Sequence, residues 1–329
     1  MTHEQLNEIL ARQFGYNQAF IDRLNGQVDR DIVNRLKQSL TNVQGQLANM
    51  YAEHGSDVTL AEMSKYDRLA KLEAAINAEL RALGVDTNKL TESAIKSNFA
   101  ESYYGAGFAY ESSLRTGLTF TQLPSDVIRA AVLNPYDKIG WKTRNQKNIA
   151  QLSTWIQEAV TEGLIQGYGY NKTKKIFGER FAGYTNNIQR IVNTETHRAA
   201  TMGRNLAFDR AQKAGERLGI VLVHVWDATL DGKTRPEHGF LDGQEADENG
   251  EWTFSDGIKT KGPGLSGVAY HDINCRCAER GQVSDRTPGT RIDNITGERI
   301  KHTTYDEWAK DKDVPYNKYR DRFNGNIKI

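Results

Sequence analysis

The sequence predicts a mainly α protein with a C-terminal α+β domain: a helical N-terminal region followed by a small mixed, turn-rich module. Three observations carry this. The first proline is Pro124, and the chain before it places apolar side chains at alternating three- and four-residue steps, the period of one helix face. After Gly215 the pattern changes to "IVLVHVWDAT", an apolar, β-branched run that reads as a strand. Beyond it, the Asp-Gly and Asn-Gly pairs in "LDGKT", "LDGQ" and "ENGEW" mark tight turns between short elements.

The helical elements follow in order. Val33, Leu36, Leu40, Val43, Leu47 and Met50 form one stripe, and Leu69, Leu72, Ile76, Leu80 and Leu83 form a second, with Gly84 as its expected C-cap. "TESAIKSNFAESYYGAGFAYESSL" reads as a third helix with its tyrosines on a packing face. Residues 118–145 hold two prolines and read as a connection with a short helix inside. Ile149, Leu152, Trp155 or Ile156, Val160 and Leu164 restore the helical step, and "YNKTKKIFGERF" adds a short helix. Stripes of this kind are what helix–helix packing requires.

The next helix carries Ile188, Val192, Ala199, Met202 and Leu206 on one face, and Glu195 falls on that same face. A carboxylate on a core face costs several kcal/mol unless it is paired, and Arg198, three residues on, is in reach. A structural ion pair is the expected role. In the following strand Val221, Val223 and Val225 are expected to share a face, and "WTFSD" to form a short strand. "GIKTKGPGLSGVAYHD" reads as a glycine-rich loop, and the stretch from residue 284 as polar and peripheral, with a short helix around "TYDEWAKDK". The expected domains are a helical region over 1–183, an α+β module over 184–283 and a polar tail over 284–329.

Composition narrows the function. Lys+Arg number 43 and Asp+Glu 42, too balanced for a surface that wraps nucleic acid, although a local basic patch stays open. No apolar run of about 18 residues is present, so no membrane-spanning helix is expected. The opening "MTHEQLNEILARQFGYNQ" lacks the basic and apolar regions of a secretory signal. Two cysteines make no disulfide framework, which suits synthesis in a reducing cytoplasm.

Those two cysteines sit together in "HDINCRC". Three readings compete. A Cys275–Cys277 disulfide would close a one-residue loop with strained geometry. A structural zinc would use thiolates at i and i+2, which point to one side of an extended segment, with His271 and His238 as further ligands. Small residues packed in a tight hairpin are the third reading, and the one the sequence favours. Asp227, Asp231, Arg235, His238, Asp242, His271, Asn274 and Arg276 are dense enough for an active site. With His238 as general base and a metal as Lewis acid, a metal-dependent nuclease or toxin-like enzyme can be drawn. No H-E-x-x-H, P-loop or G-x-S-x-G stands in the chain, and no residue is assigned as catalytic.

Taken together, "IVNTETHRA" on a helix, "VWDATLDGKTRPEHGFLDGQ", a glycine and proline loop and "INCRC" resemble, in content and order, the minor head proteins of tailed bacteriophages, the Mu protein F-like or head-morphogenesis family. The resemblance covers about residues 184–280. It falls on Glu195, Arg198, Trp226, Asp231, Thr234, Arg235, His238, Leu241, Asp242, Gly243, Asn274, Cys275, Arg276 and Cys277, and "TTYDEWAKDK" resembles the family's Tyr-x-x-Trp segment. Asn193 stands where the family commonly has arginine, and His271 is not a firm part of the pattern. The resemblance implies a virion protein of the head interior and portal vertex, assembled in the host cytoplasm. Its implied partners are the portal protein, capsid or scaffold proteins and the packaged DNA, with which it would be ejected. A DNA-binding protein that guides the genome is a further alternative. Glu195, Arg198, Asp231, Thr234, Arg235, His238, Asp242, Asn274 and Arg276 are then expected to form a structural polar network.

Overall fold

A computed structural model describes residues 2–114, 117, 122–133, 140–283 and 287–312. The elements run in the order α1 (His3–His54), α2 (Leu60–Met63), α3 (Arg68–Leu114), α4 (Ser125–Leu133), α5 (Trp141–Ile165), α6 (Tyr170–Arg217), β1 (Leu222–Asp227), α7 (Pro236–Phe240), β2 (Trp252–Thr253), β3 (Lys259–Thr260), α8 (Ala269–Asp272), β4 (Ala278–Val283), β5 (Thr290–Ile292), β6 (Arg299–Lys301) and α9 (Tyr305–Asp311). The helical N-terminal region and the mixed C-terminal region are therefore both present. Parts of the connection expected over 118–145, and the tail from residue 313, lie outside the described residues.

The chain divides into two units. The helical unit comprises Asn25–Ala94 and Ile139–Asn193, and the mixed unit comprises Met1–Leu24, Ile95–Lys138 and Thr194–Ile329. This differs from the expected 1–183, 184–283 and 284–329. The boundary at 183/184 falls inside α6, where no proline or turn interrupts the helix. Three helices, α1, α3 and α6, each contribute residues to both units.

The helical unit is held by the predicted stripes. Leu36, Val43, Leu47, Ile76, Leu80, Leu83, Leu152 and Ile156 are buried in one cluster with Phe177, Phe181 and Ile188. Gly84 is not a cap. It lies within α3, and a Cβ there would stand 3.1 Å from Ile149 of α5. The missing side chain lets two helices approach, and the two helices expected over 68–114 are one.

Among the described residues the mixed unit holds three two-stranded antiparallel ribbons, β1–β4, β2–β3 and β5–β6. In the first, Leu222 faces Val283 and Asp227 faces Ala278. Val221 lies outside β1 and is 64% exposed, so the valine face expected for this strand is corrected. Leu222, His224 and Trp226 form the buried row instead, and Val225 is buried as well. The inward row follows Trp226, whose indole meets Trp252 and Phe254 edge to face, each at 5.7 Å. The partner strand β4 carries "AERGQV", with a single β-branched residue; pairing and burial make it a strand despite weak propensity.

The stretch after residue 284 is not peripheral. Tyr305, Trp308 and Ala309 of α9 are buried in one cluster with Trp226, Leu230, Leu241, Trp252, Phe254, Cys275 and Cys277. A Thr304–Glu307 capping box starts that helix.

Within the mixed unit, α6 crosses α3 at backbone contact. A Cβ on Gly203 would stand 2.3 Å from the carbonyl oxygen of Phe99. Gly203→Ala is expected to lower stability by about 1–3 kcal/mol or more, because backbone cannot swing aside. Gly178→Ala on the same helix, with nothing within 4 Å, is expected to be neutral or to add up to about 1 kcal/mol. Chemical denaturation of the two variants beside the wild type checks both.

Candidate functional site

The site begins on α6. Glu195 and Arg198 are 0% and 2% exposed, and Arg198 Nε donates to Glu195 Oε2 at 2.9 Å. Arg198 Nη2 donates to the carbonyl of Ala131 in α4 at 2.8 Å. The charged residue on the apolar stripe is thus paired, and the pair holds α4 to α6. Farther along the helix, Arg204 Nε donates to Glu279 Oε1 of β4 at 2.8 Å. Burial pushes the Glu279 carboxyl up, against the pull of Arg204. Sequence reading missed this second pair, since Glu279 sits in a strand that propensity did not mark.

The turn segment after β1 meets the "INCRC" segment. Asp231 and Arg276 form a two-armed ion pair, with Nη2 to Oδ1 at 2.8 Å. Thr229 Oγ1 donates to the Arg276 carbonyl at 2.7 Å, and Thr234 Oγ1 donates to the Thr229 carbonyl. Arg235 donates to the Ile273 carbonyl. Asn274 takes φ of 54°, a left-handed conformation that asparagine tolerates better than most residues. Its N–H donates to Thr194 Oγ1 of α6 at 3.3 Å.

Asp242, in the second "LDG", is the most connected carboxylate of the site. It accepts from Ala228 N at 2.7 Å, Tyr305 N at 2.6 Å and Arg291 Nη1 at 2.7 Å. Arg291 also donates to Asp227, to the Ala228 carbonyl and to the Thr303 carbonyl, each at 2.8 Å. Burial pushes the Asp242 carboxyl up while the Arg291 charge pulls it down. Arg291 lies in the stretch read as a tail and was missed. The signal available was the pair Tyr305 and Trp308, too large and apolar for a solvated tail.

Between these networks lie the cysteines. His238 Nδ1 stands 3.5 Å from Cys275 Sγ and 3.6 Å from Cys277 Sγ, and all three residues are buried. The thiols are unbridged. Burial pushes the Cys275 thiol well up; hydrogen bonding from Cys275 and from His238 holds that of Cys277 well down. His271 stands outside this trio. Its Nε2 meets Asp256 Oδ2 at 2.9 Å, its ring stacks on Phe254 at 3.9 Å, and its centroid is 5.7 Å from that of His238. The sequence therefore named four candidate ligands, of which the structure gathers three.

A cleft of about 380 Å³ in the mixed unit is lined by Arg204, Arg276, Arg280, Arg291 and Arg299. All of these but Arg280 already hold carboxylates, so the cleft is less cationic than its lining suggests. No described helix is long and apolar enough to cross a membrane.

Residues 154–280 match the family model described as Phage Mu protein F like protein. The match starts about 30 residues before the resemblance read from the sequence, inside α5. Over these residues the chain is similar to the Mu protein F-like family of phage minor head proteins. It is 26% identical over 302 residues to the minor head protein GP7 of Bacillus phage SPP1, covering 90% of this chain and 95% of that protein. It is 28% identical over 286 residues to the NAD(+)–arginine ADP-ribosyltransferase EFV of Enterococcus faecalis, covering 87% of this chain but only 58% of that protein. No solved structure matches the chain.

Buried histidines give this unit an acid limit. Burial holds His197 and His224 to about 3, and His302 to about 4, against an ordinary value of 6.5. Below pH 6.5 the unfolded chain takes protons that the folded chain refuses, so stability falls with pH from there down to the depressed values. The thermal midpoint is expected to drop between pH 7 and pH 4 and to drop less in His224→Phe, whose ring can keep the stack on Phe208. Equal pH dependence in the two proteins would contradict this.

Proposed function

We propose that this protein is a minor component of a tailed-phage head that acts in head assembly at the portal vertex, by binding rather than by catalysis. The observation that carries the reading is one of coverage. The aligned stretch spans nearly the whole of a minor head protein and little more than half of a transferase. What the three chains share is accounted for by a head protein, and the transferase name need not come from the shared part.

The side chains support this. Glu195 is paired with Arg198, Glu279 with Arg204 and Asp242 with Arg291, with Glu279 and Arg291 engaged in this way although they lie at the wall of the cleft. Catalytic groups must reach a substrate, and these are satisfied by structural partners. The partners in this reading are the portal protein and neighbouring capsid or scaffold proteins, with the packaged DNA alongside and the protein leaving with it on ejection. DNA contact is secondary, because four of the five arginines of the cleft are already paired. The protein would reside in the virion, having been made in the host cytoplasm.

Quantitative mass spectrometry of purified phage tests the reading. A few copies per virion in full heads, with fewer in heads emptied by ejection, are expected. The isolated protein is expected to leave arginine-containing acceptors unmodified in the presence of NAD. Absence from the virion, or NAD-dependent modification lost in a folded variant, would overturn it.

A further inference from the structure

Among the described residues, His238, Cys275 and Cys277 form the one group of three or more His, Cys, Asp or Glu whose ligand atoms all lie within 4.8 Å of one another. The separations are those of a coordination sphere. With Zn–S near 2.3 Å and Zn–N near 2.0–2.1 Å, tetrahedral angles put a nitrogen and a sulfur on one ion roughly 3.6 Å apart. The observed values are 3.5 and 3.6 Å.

The surroundings fix these donors before any ion arrives. His238 is carried on α7 in the turn segment, and the cysteines lie immediately before β4. Asp231 clamps Arg276, the residue between the two cysteines, and Thr229 holds its carbonyl. Arg235 holds the carbonyl of Ile273. The backbone before Cys275 and between the two cysteines is therefore pinned by side chains of the facing segment. The shell beyond is apolar, with Trp226, Leu230, Leu241 and Phe254 in the same buried cluster as the thiols.

His271 adds a second, independent observation. Asp256 engages its Nε2, and its Nδ1 is buried with no hydrogen-bond partner. A carboxylate on one ring nitrogen and a lone pair left on the other is the arrangement of a metal-ligating histidine, oriented by its outer partner. As placed, this ring stands outside the trio, with its centroid 5.7 Å from that of His238, so it must move to close on an ion.

We propose that His238 Nδ1, Cys275 Sγ and Cys277 Sγ bind one zinc ion, with His271 Nδ1 closing the sphere, and that the ion ties α7 and α8 to the segment that leads into β4. Two Zn–S bonds form as two S–H protons leave to solvent. The two thiolate charges neutralise the ion, so the completed centre is neutral and can sit in an apolar shell. Two thiolates and two imidazoles select zinc over the oxygen-seeking magnesium and calcium. The four ligands are all protein groups, so the site is structural and leaves no open position for a reacting water.

The test uses the full chain, purified without chelator and also reconstituted with zinc. Elemental analysis is expected to give one zinc per chain, and X-ray absorption two sulfur and two imidazole neighbours. Neither reading depends on a variant folding. Stripping the ion with a chelator is expected to lower the thermal midpoint and make two thiols reactive. Cys275→Ser/Cys277→Ser and His238→Ala are expected to lose the ion, and His271→Ala to weaken binding at least about 10-fold. Less than about a tenth of an equivalent of zinc in reconstituted wild type, full occupancy in the double cysteine variant, or unchanged affinity in His271→Ala would overturn the proposal.

Discussion

Arg291 and Asp242 face each other at 2.7 Å inside the mixed unit, 8% and 2% exposed, and the C-terminal half of the fold hangs on them. Between them they bond the end of β1, the turn after α7, the β5 strand and the first residue of α9. Ribbons of two strands are marginal alone. Among the described residues this unit has three such ribbons, two of them only two or three residues long per strand. A pair of charges taken out of water is costly on its own terms, and is tolerated only where geometry is good and every remaining bond is made. Here it is, and the pair sets which turn meets which strand. Trp308 adds to it from α9, its Nε1 donating to Asp293 Oδ2 at 3.0 Å.

The same logic runs through the other pairs. Glu195 with Arg198 joins α6 to α4, Arg204 with Glu279 joins α6 to β4, and Asp231 with Arg276 joins the turn segment to the cysteines. Each links elements far apart in sequence, so each contributes specificity as well as stability. Cross-links of this kind hold one fixed surface, which suits the binding role proposed above. The alignment with the transferase of Enterococcus faecalis covers only 58% of that protein.

Much of this was legible in the sequence, for physical reasons. Helical stripes are local, so Leu36 through Met50 and Leu69 through Leu83 announced the helical unit. Glu195 stood out because a carboxylate on an apolar stripe demands a partner. Asp231, Asp242 and Arg276 stood out through their turns. Helix ends were less legible: Gly84 reads as a cap in isolation, and only Ile149 from another helix shows why a side chain is missing there. Non-local groups were the least legible. Arg291 lies 49 residues from Asp242, and β4 is a strand because β1 lies beside it. His271 is adjacent to the cysteines in sequence, yet its ring is turned toward Asp256, which no spacing rule foretells.

The measurement that bears most directly on this account is a double-mutant cycle on Asp242→Ala and Arg291→Ala, read by chemical denaturation. Arg291→Ala leaves the buried Asp242 carboxylate without its cation, and Asp242→Ala leaves Arg291 with only the partly exposed Asp227; each is expected to cost about 3–5 kcal/mol. The double variant is expected to cost far less than their sum, since neither charge is then left unpaired. Single costs below about 1 kcal/mol, or losses that simply add, would contradict the view that this pair organises the fold.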